Sequence, residues 1–203
     1  MNSEFERHLH GLGCKRVAGV DEAGRGPLAG PVVAAAVVFR PGTEIPGVDD
    51  SKKLSPVRRE ELYAIITREA LGYGVGVVDH KTIDRVNILN ATFDAMHQAL
   101  GQLLIRPDHV LVDGNRFKSL EYSFTTIVDG DARCFSIAAA SIIAKVWRDR
   151  LMVEFDKLYP GYGFARHKGY GTPQHLRALA ELGASPIHRL TFLKSIMVRE
   201  EGP

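Results

Sequence analysis

The sequence contains only two cysteines among its 203 residues and no long apolar run. Cys14 and Cys134 lie far apart and match no metal-ligand spacing, which argues against a cysteine zinc site and against a disulfide framework. We therefore expect two free thiols and a cytoplasmic protein. No stretch approaches the roughly 18 consecutive apolar residues that a membrane-spanning helix needs, so the sequence predicts no membrane partner. The N-terminal residues are charged and polar, without the apolar centre of a signal peptide.

The sequence also lacks a strong net charge and a nucleotide-binding loop. The formal net charge is +2, so any nucleic-acid surface must come from local clusters of lysine and arginine. No G-K-[ST] triplet is present, which excludes a P-loop. Gly24, Gly26 and Gly30 resemble a dinucleotide-binding turn only superficially, because Pro31 and a strand-like apolar run follow where that motif needs a helix. The pattern argues against a bound nucleotide cofactor.

What the sequence does contain is a succession of strand and helix patterns typical of an α/β protein. Apolar alternation and short apolar runs predict five strands, at 16–22, 31–39, 73–78, 109–112 and 122–128. Helical spacing and capping residues predict helices at 56–71, 88–104 and 132–158, and a further one from Pro173. We expect a mixed five-stranded sheet flanked by helices over residues 1–160, with residues 161–203 as a small helical appendage packed on it.

Acidic residues stand at three of the predicted strand ends. Asp21 and Glu22 end the first strand, Asp113 ends the fourth, and Asp131 lies just beyond the fifth. Because functional side chains of open α/β folds collect at strand ends, these acids are candidates for one shared site. The alternative is that they are ordinary turn residues, since Asp-Gly pairs are common turn formers.

Clustered carboxylates with no cysteine or histidine at ligand spacing suit a hard cation such as Mg²⁺ or Mn²⁺. Two such ions about 3.5–4 Å apart can activate a water and stabilise the leaving oxygen in phosphodiester cleavage. Glu22 raises a difficulty, because neighbouring residues of a regular strand point to opposite faces. We expect the strand to end or bulge at Asp21 and Glu22, which the following Gly24 and Gly26 would allow.

Six segments, taken in order, resemble bacterial ribonuclease HII, the type 2 ribonuclease H. They are GVDEAGRGPLAGPVV, DDSKKLS, IDRVNILNATFDAM, VLVDGN, GDARCFSIAAASIIAKVWRDRLM and YPGYGFARHKGYGTPQH. The resemblance covers nearly the whole chain and implies a ribonuclease H-like fold. It also implies four catalytic residues that together hold two divalent ions, Mg²⁺ or Mn²⁺: Asp21, Glu22, Asp113 and Asp131.

The resemblance further implies an endoribonuclease that cleaves the RNA strand of RNA–DNA hybrids and incises duplex DNA 5′ of an embedded ribonucleotide. The products would carry a 3′-hydroxyl and a 5′-phosphate. Gly24, Arg25 and Gly26 match the family's glycine-arginine-glycine element, which contacts the ribose 2′-hydroxyl and the neighbouring phosphate. Tyr170, in HKGYGT, matches the tyrosine that packs at the RNA–DNA junction. The 2′-hydroxyl is the group that distinguishes a ribonucleotide from its deoxy neighbour.

Basic side chains near these segments are candidate substrate contacts. Lys168 lies beside Tyr170 in the matched element, whereas other lysines could equally be solvated surface charges. The candidate phosphate-binding residues are Lys52, Lys53, Lys145 and Lys168. Three histidines form no metal-ligand set and are interpreted as loop or packing residues: His167, which is also a minor candidate for substrate contact, His175 and His188.

One departure from the family pattern is Asp129, where the family usually has a lysine. The extra acid could weaken a phosphate contact or perturb metal affinity; we keep Asp131 as the fourth acid because it retains the Gly-Asp-Ala context. The sequence shows no clamp-binding tail after HRLTF, so no clamp partner is predicted, and we expect a monomer. Two alternatives stay open: a sister nuclease such as ribonuclease HIII, and a non-catalytic module that binds RNA–DNA hybrids.

Overall fold

The computed structural model describes residues 3–194, so the expectation about a clamp-binding tail concerns residues outside the described range. Thirteen helices and strands follow one another between residues 4 and 182. In order they are α1 (Glu4–Gly11), β1 (Val17–Ala23), β2 (Val32–Val38), α2 (Pro56–Glu69), β3 (Gly72–Val78), α3 (His80–Val86), α4 (Ile88–Gly101), β4 (His109–Asp113), β5 (Phe124–Ile127), α5 (Gly130–Arg133), α6 (Phe135–Leu158), α7 (Phe164–His167) and α8 (Pro173–Leu182).

The five strands form one mixed sheet in the order β3-β2-β1-β4-β5. Strand β2 pairs antiparallel with both β1 and β3, whereas β1, β4 and β5 run parallel to one another. Every residue of β2 is buried, as expected for a strand covered on both faces. The predicted mixed five-stranded sheet flanked by helices is confirmed. No helix among the described residues is long and apolar enough to cross a bilayer.

Helix α6 covers one face of the sheet and α4 covers the other. Gly19 of β1 lies directly beneath α6, because a Cβ atom there would stand 2.1 Å from the carbonyl carbon of Ser136. The contact leaves no space for a side chain, so the helix backbone rests on the strand backbone. The close approach fixes the position of α6 relative to the end of β1, where the candidate acids lie.

Several boundaries differ from the sequence prediction. Strand β5 is shorter than predicted, and the helix expected from residue 132 is two helices, α5 and α6. Cys134 separates them because its backbone is extended, with φ −126° and ψ 127°. Helices α1, α3 and α7 have no counterpart among the predicted helices; each is eight residues or shorter, and such lengths carry too little periodicity to be recognised.

Glu6 of α1 supplies the N-terminal cap of α6 from far away in the sequence. Its Oε1 atom accepts hydrogen bonds from the Ser136 backbone N–H (2.8 Å) and from the Ser136 hydroxyl (2.7 Å). The local cap residue, Cys134, offers no side-chain hydrogen bond. The carboxylate satisfies a backbone donor that the helix itself cannot pair and complements the positive end of the helix dipole.

The Glu6 cap predicts a measurable loss of stability on mutation. Glu6→Ala removes both hydrogen bonds and should lower the free energy of unfolding by about 2 kcal/mol. Glu6→Gln keeps a carbonyl acceptor and should lose less. Urea unfolding provides the measurement, with Glu181→Gln, at an exposed position of α8, as the control. Equal stability of Glu6→Ala and the wild type would contradict the capping role.

Residues after α6 pack around the end of that helix. Tyr162, Phe164, Ala178 and Ile187 form a buried cluster with Met152 of α6, to which Ala29 also belongs. The chain after residue 160 therefore shares apolar contacts with the sheet-bearing part. The proposed division into residues 1–160 and 161–203 stays a prediction.

Three buried histidines lie in this region, and their hydrogen bonds define which ring nitrogens carry protons. The Ser185 backbone N–H donates to His188 Nδ1 (2.8 Å), so that nitrogen is unprotonated. His188 Nε2 then donates to His175 Nε2 (2.9 Å), and His175 Nδ1 donates to the Tyr170 carbonyl (2.9 Å). His167 belongs to the same region: its Nδ1 accepts from the Gly169 N–H, and its Nε2 donates to the Tyr162 carbonyl. The chain of bonds works only with neutral rings.

The histidine network predicts that the protein is destabilised by mild acid. Burial and the neighbouring His175 lower the pKa of His188 to about 4, with smaller contributions from His80 and His167. The ordinary pKa of a histidine is about 6.5, so His188 of the unfolded chain binds a proton below that pH while His188 of the folded chain does not. The free energy of unfolding therefore falls as the pH falls from about 6.5 to about 4, by on the order of 3 kcal/mol.

Urea unfolding between pH 7.5 and pH 5 measures this effect. The His188→Gln variant should be less stable at pH 7.5, because the network is broken, but its stability should depend less steeply on pH. An identical pH slope in the variant and the wild type would show that His188 is not the titrating group.

Candidate active site

The parallel pairing of β1 and β4 brings two of the acids to the same edge of the sheet. Val20 pairs with Val112, and the next residues of the two strands are Asp21 and Asp113. Strand β5 pairs with β4 up to Asp113, and Asp131 follows it in α5. The acids therefore gather at the carboxyl ends of three adjacent parallel strands, where such sheets present their functional groups.

Asp21 and Glu22 point to opposite faces of the sheet without a bulge between them. Their partners in β2 are Ala35 and Ala34, and this regular register continues to Ala23, where the strand ends. Ala35 belongs to the core beneath α6 and Ala34 to the core beneath α4. Of the two expected alternatives, a bulge or an end of the strand, the bulge is absent. The strand ends one residue beyond Glu22, and both side chains line one cavity at that edge.

Burial dominates the electrostatics of Asp21. The side chain is 4% exposed, and burial raises its pKa well above the ordinary value, reinforced by the negative charges of Glu22 and Asp113. The Ser141 hydroxyl and the Glu22 N–H, which donates to Asp21 Oδ1 at 2.6 Å, act in the opposite direction. The ionised form of Asp21 is thus unfavourable unless a cation lies close by.

The other acids share this environment. Burial raises the pKa of Glu22, although Arg25 opposes it by an ion pair of 3.1 Å. Burial and the charge of Asp131 raise the pKa of Asp113, although its carboxylate accepts a hydrogen bond from the Gly130 N–H at 2.7 Å. Burial and mutual repulsion thus raise the pKa of Asp21, Glu22 and Asp113 alike.

Asp131 lies at this cluster and Asp129 does not. Asp131 is 5% exposed and accepts a hydrogen bond from Lys52 Nζ at 3.2 Å. Asp129 is exposed, in the left-handed region with φ 54°, and its side chain forms no cap hydrogen bond. Burial acts to lower the pKa of Lys52, but the hydrogen bond and charge of Asp131 outweigh it and the pKa is raised.

The donor chemistry of the cluster fits a hard divalent cation. All its donors are carboxylate oxygens, and repulsion between three of them disfavours the ionised state. As the side chains stand, no three His, Cys, Asp or Glu residues within residues 3–194 are arranged as ligands of an ion. Two of the acids form ion pairs with cationic side chains: Asp131 with Lys52 and Glu22 with Arg25.

The cavity at the strand ends has a volume of about 260 Å³. It brings together nine of the residues singled out from the sequence: Asp21, Glu22, Gly24, Arg25, Gly26, Lys52, Asp113, Lys145 and Tyr170. Gly26 faces Tyr170, since a Cβ atom on Gly26 would lie 3.6 Å from the tyrosine ring. The glycine-arginine-glycine loop, residues 24–26, thus lines the cavity together with Tyr170, whose ring lies beside Gly26.

Two of the four candidate lysines do not line this cavity. Lys53 is exposed and lies 3.7 Å from Asp49. The Lys168 ammonium donates to the Ala165 carbonyl and lines a neighbouring cleft, together with Lys145. Burial lowers the pKa of Lys145, which forms a 2.6 Å ion pair with Asp149.

The sequence analysis missed three polar residues of the cavity wall: Ser51, Ser141 and Arg148. The hydroxyls of Ser51 and Ser141 lie 2.8 Å apart. Ser141, Lys145 and Arg148 follow one another at intervals of four and three residues and so share one face of α6. This polar stripe, which begins in the largely apolar first half of the helix, was the signal that could have identified Ser141 and Arg148.

Comparison with known proteins agrees with this architecture. The sequence pattern of the family described as ribonuclease HII matches residues 18–195. Ribonuclease HII of Geobacter sulfurreducens is 60% identical over 189 residues, which cover 93% of this chain and 87% of that protein.

Solved structures are similar as well. The crystal structure of ribonuclease H2 from Pyrococcus horikoshii OT3 superimposes with a TM-score of 0.73 at 32% identity, covering 87% of this chain and 93% of that one. The ribonuclease HII in the PCNA complex from Archaeoglobus fulgidus gives a TM-score of 0.71 at 27% identity, covering 88% and 94%. The chain described here belongs to the ribonuclease HII family and is a metal-dependent endoribonuclease of the ribonuclease H type 2 class.

Proposed function

We propose that the enzyme cleaves the RNA strand of RNA–DNA hybrids and incises duplex DNA on the 5′ side of a single embedded ribonucleotide. The observation that carries the proposal is the shared cavity of about 260 Å³, in which acidic strand ends face the glycine-arginine-glycine loop and Tyr170. One wall offers groups for phosphodiester hydrolysis and the other offers groups for reading a ribose.

In the proposed site, Asp21, Glu22, Asp113 and Asp131 hold two divalent cations, Mg²⁺ or Mn²⁺. When bound, such ions activate a water and stabilise the leaving oxygen, which yields a 3′-hydroxyl and a 5′-phosphate without a covalent intermediate. The Gly130 N–H orients the Asp113 carboxylate, and the Glu22 N–H orients that of Asp21. The rigid sheet fixes the spacing of the carboxylates before substrate arrives.

The groups proposed to recognise the ribose belong to the glycine-arginine-glycine loop and to Tyr170. The exposed backbone at Gly26 lets a sugar approach closely, and the exposed Arg25 guanidinium lies where a phosphate of the same strand would pass. The Tyr170 ring, which is 45% exposed, offers an apolar surface for the next sugar. Lys52 and Lys145 add positive charge at the cavity, while Lys53 and Lys168 are proposed as more distant phosphate contacts.

We also propose that the enzyme acts as a monomer in the cytoplasm. Cys14 and Cys134 are free thiols, and burial raises the pKa of Cys134 to about 12, which makes it unreactive. Such thiols suit a reducing compartment.

Mutation of one clustered acid tests the proposed catalysis. Asp113→Asn removes one charge of the cluster and should reduce cleavage of a labelled duplex with one ribonucleotide by at least about 10³-fold, while the duplex is still bound. Asp129→Asn is the matched control, because Asp129 is exposed and asparagine tolerates its backbone conformation; it should retain activity within about twofold. Cleavage is followed with both Mg²⁺ and Mn²⁺.

The same assay separates the remaining alternatives. Metal-dependent cleavage by the wild type contradicts a non-catalytic hybrid-binding module. Cleavage of RNA–DNA hybrid with no incision at a single ribonucleotide would favour a function like that of ribonuclease HIII. Full activity of Asp113→Asn would overturn the proposed site.

The two glycines of the loop are predicted to respond differently to an added methyl group. Gly24 has φ +98°, and a Cβ atom there would lie 2.0 Å from Arg148 Nε, so Gly24→Ala should destabilise the fold. Gly26 lacks such a φ, and a Cβ atom there would make only an ordinary contact, 3.6 Å from the Tyr170 ring, so Gly26→Ala should fold with near wild-type stability. Because the methyl group would project into the cavity, we expect Gly26→Ala to cleave the single-ribonucleotide duplex at least about tenfold less efficiently.

Thermal unfolding and single-turnover cleavage distinguish these effects. Gly101→Ala, which meets nothing within 4 Å at the end of α4, controls for the added methyl group and should preserve cleavage. If Gly26→Ala cleaved with wild-type efficiency, the loop would not contact the ribose.

A further inference from the structure

Two arginines with buried guanidinium groups lie directly behind the glycine-arginine-glycine loop. Arg148 of α6 is 1% exposed and Arg189, near the end of the described chain, is 0% exposed. Among residues 3–194 neither forms an ion pair with a carboxylate. Buried charges without a counterion are costly, so their retention calls for an explanation beyond packing.

Backbone carbonyls take the place of the missing carboxylates. Arg189 donates from Nη2 to the Gly24 carbonyl (2.6 Å), from Nη1 to the Arg25 carbonyl (3.0 Å) and from Nε to the Gly30 carbonyl (3.0 Å). A further bond from Nη2 reaches the Pro31 carbonyl at 3.1 Å. The planar guanidinium thereby holds both ends of the loop segment.

Arg148 performs a similar role for neighbouring backbone. It donates to the carbonyls of Pro31 (3.0 Å), Ala29 (3.2 Å) and Lys168 (3.0 Å). The last bond ties the segment before Tyr170 to the loop. Burial lowers the pKa of Arg189 to about 9 and that of Arg148 to about 10, so both remain charged at neutral pH.

The bonds to Arg189 fix which way two peptide groups face. In a trans peptide the carbonyl and the N–H of the same unit point in opposite directions. The Gly24 and Arg25 carbonyls point inward to Arg189, so the N–H groups of Arg25 and Gly26 point away from it. Neither N–H donates a hydrogen bond within the described chain. Both residues line the cavity.

We infer that Arg189 is a positioning residue for ribonucleotide recognition, which aligns the Arg25 and Gly26 N–H groups to donate to the ribose 2′-hydroxyl and the adjacent phosphate. The inference rests on the proposed ribose-reading function of the loop. A guanidinium bound to a carbonyl also polarises the peptide and strengthens its N–H as a donor. A lysine could hold neither peptide in the same way, because its ammonium has no planar fork.

The test compares Arg189→Lys with the wild type as complete enzyme in Mg²⁺. Two numbers are measured: the half-saturating concentration of a single-ribonucleotide duplex in single-turnover cleavage, and the inhibition constant of an all-DNA duplex of the same sequence. Their ratio reports ribose preference. We expect Arg189→Lys to reduce this preference at least about tenfold while the all-DNA duplex binds within about twofold of the wild type.

A core variant controls for loss of stability. Leu100→Ala leaves a cavity in the core beneath α4, away from the loop. It should lower the thermal midpoint of unfolding and leave the ribose preference unchanged. If Leu100→Ala lost the preference to the same degree, or if Arg189→Lys kept it, the positioning role would be wrong. Gly26→Ala reports on the proposed function separately, since an unchanged preference there would refute ribose reading itself.

A second measurement does not depend on the folding of Arg189 variants. The amide signals of Arg25 and Gly26 are followed by NMR in the Asp113→Asn protein on addition of each duplex. The inference predicts larger downfield shifts with the ribonucleotide duplex than with the all-DNA duplex. Equal shifts with both duplexes would overturn it.

Discussion

The contact of α6 with β1 is the constraint on which the rest of the site depends. Gly19 allows the helix backbone to rest on the strand, and this fixes where the helix face with Ser141, Lys145 and Arg148 stands relative to Asp21. One end of the helix is capped by Glu6, and the other packs through Met152 against the chain that carries Tyr170. A single rigid element therefore sets the distance between the acidic wall and the ribose-reading wall.

The charged groups around the cavity lack counter-charges that the substrate and its cations would supply. Carboxylates at the strand ends repel one another, and the two buried guanidinium groups behind the loop have no carboxylate partner within residues 3–194. Each set is unfavourable alone in a poorly hydrated site. A phosphodiester with its cations would offset both, because the cations neutralise the acids and the phosphate lies beside the positively charged wall. Selection for function accounts for a charge pattern that selection for stability alone would remove.

Local sequence patterns predicted the sheet and the gathering of Asp21, Asp113 and Asp131 at strand ends, because these depend on periodicity and on strand order. The sequence left open whether the strand bulges or ends at Asp21 and Glu22, and only the actual register, which is regular up to Ala23, decides between the two. Glu6 and Arg189 could not be assigned from the sequence, since each acts on backbone more than 100 residues away. Lys53 was a candidate only because it lies near a motif, and that position in the sequence does not determine where its flexible side chain points.

The backbone, more than the side chains, distinguishes this site from a generic acidic cleft. Carboxylates at strand ends can hold cations in many folds and carry no information on the sugar. A ribose differs from a deoxyribose by one hydroxyl, and discriminating it requires donors held rigidly at hydrogen-bond distance. Peptide N–H groups meet this requirement only if their carbonyls are anchored on the other side. Buried arginines provide that anchor, which explains why the ribose-reading loop combines glycines in front with guanidinium groups behind.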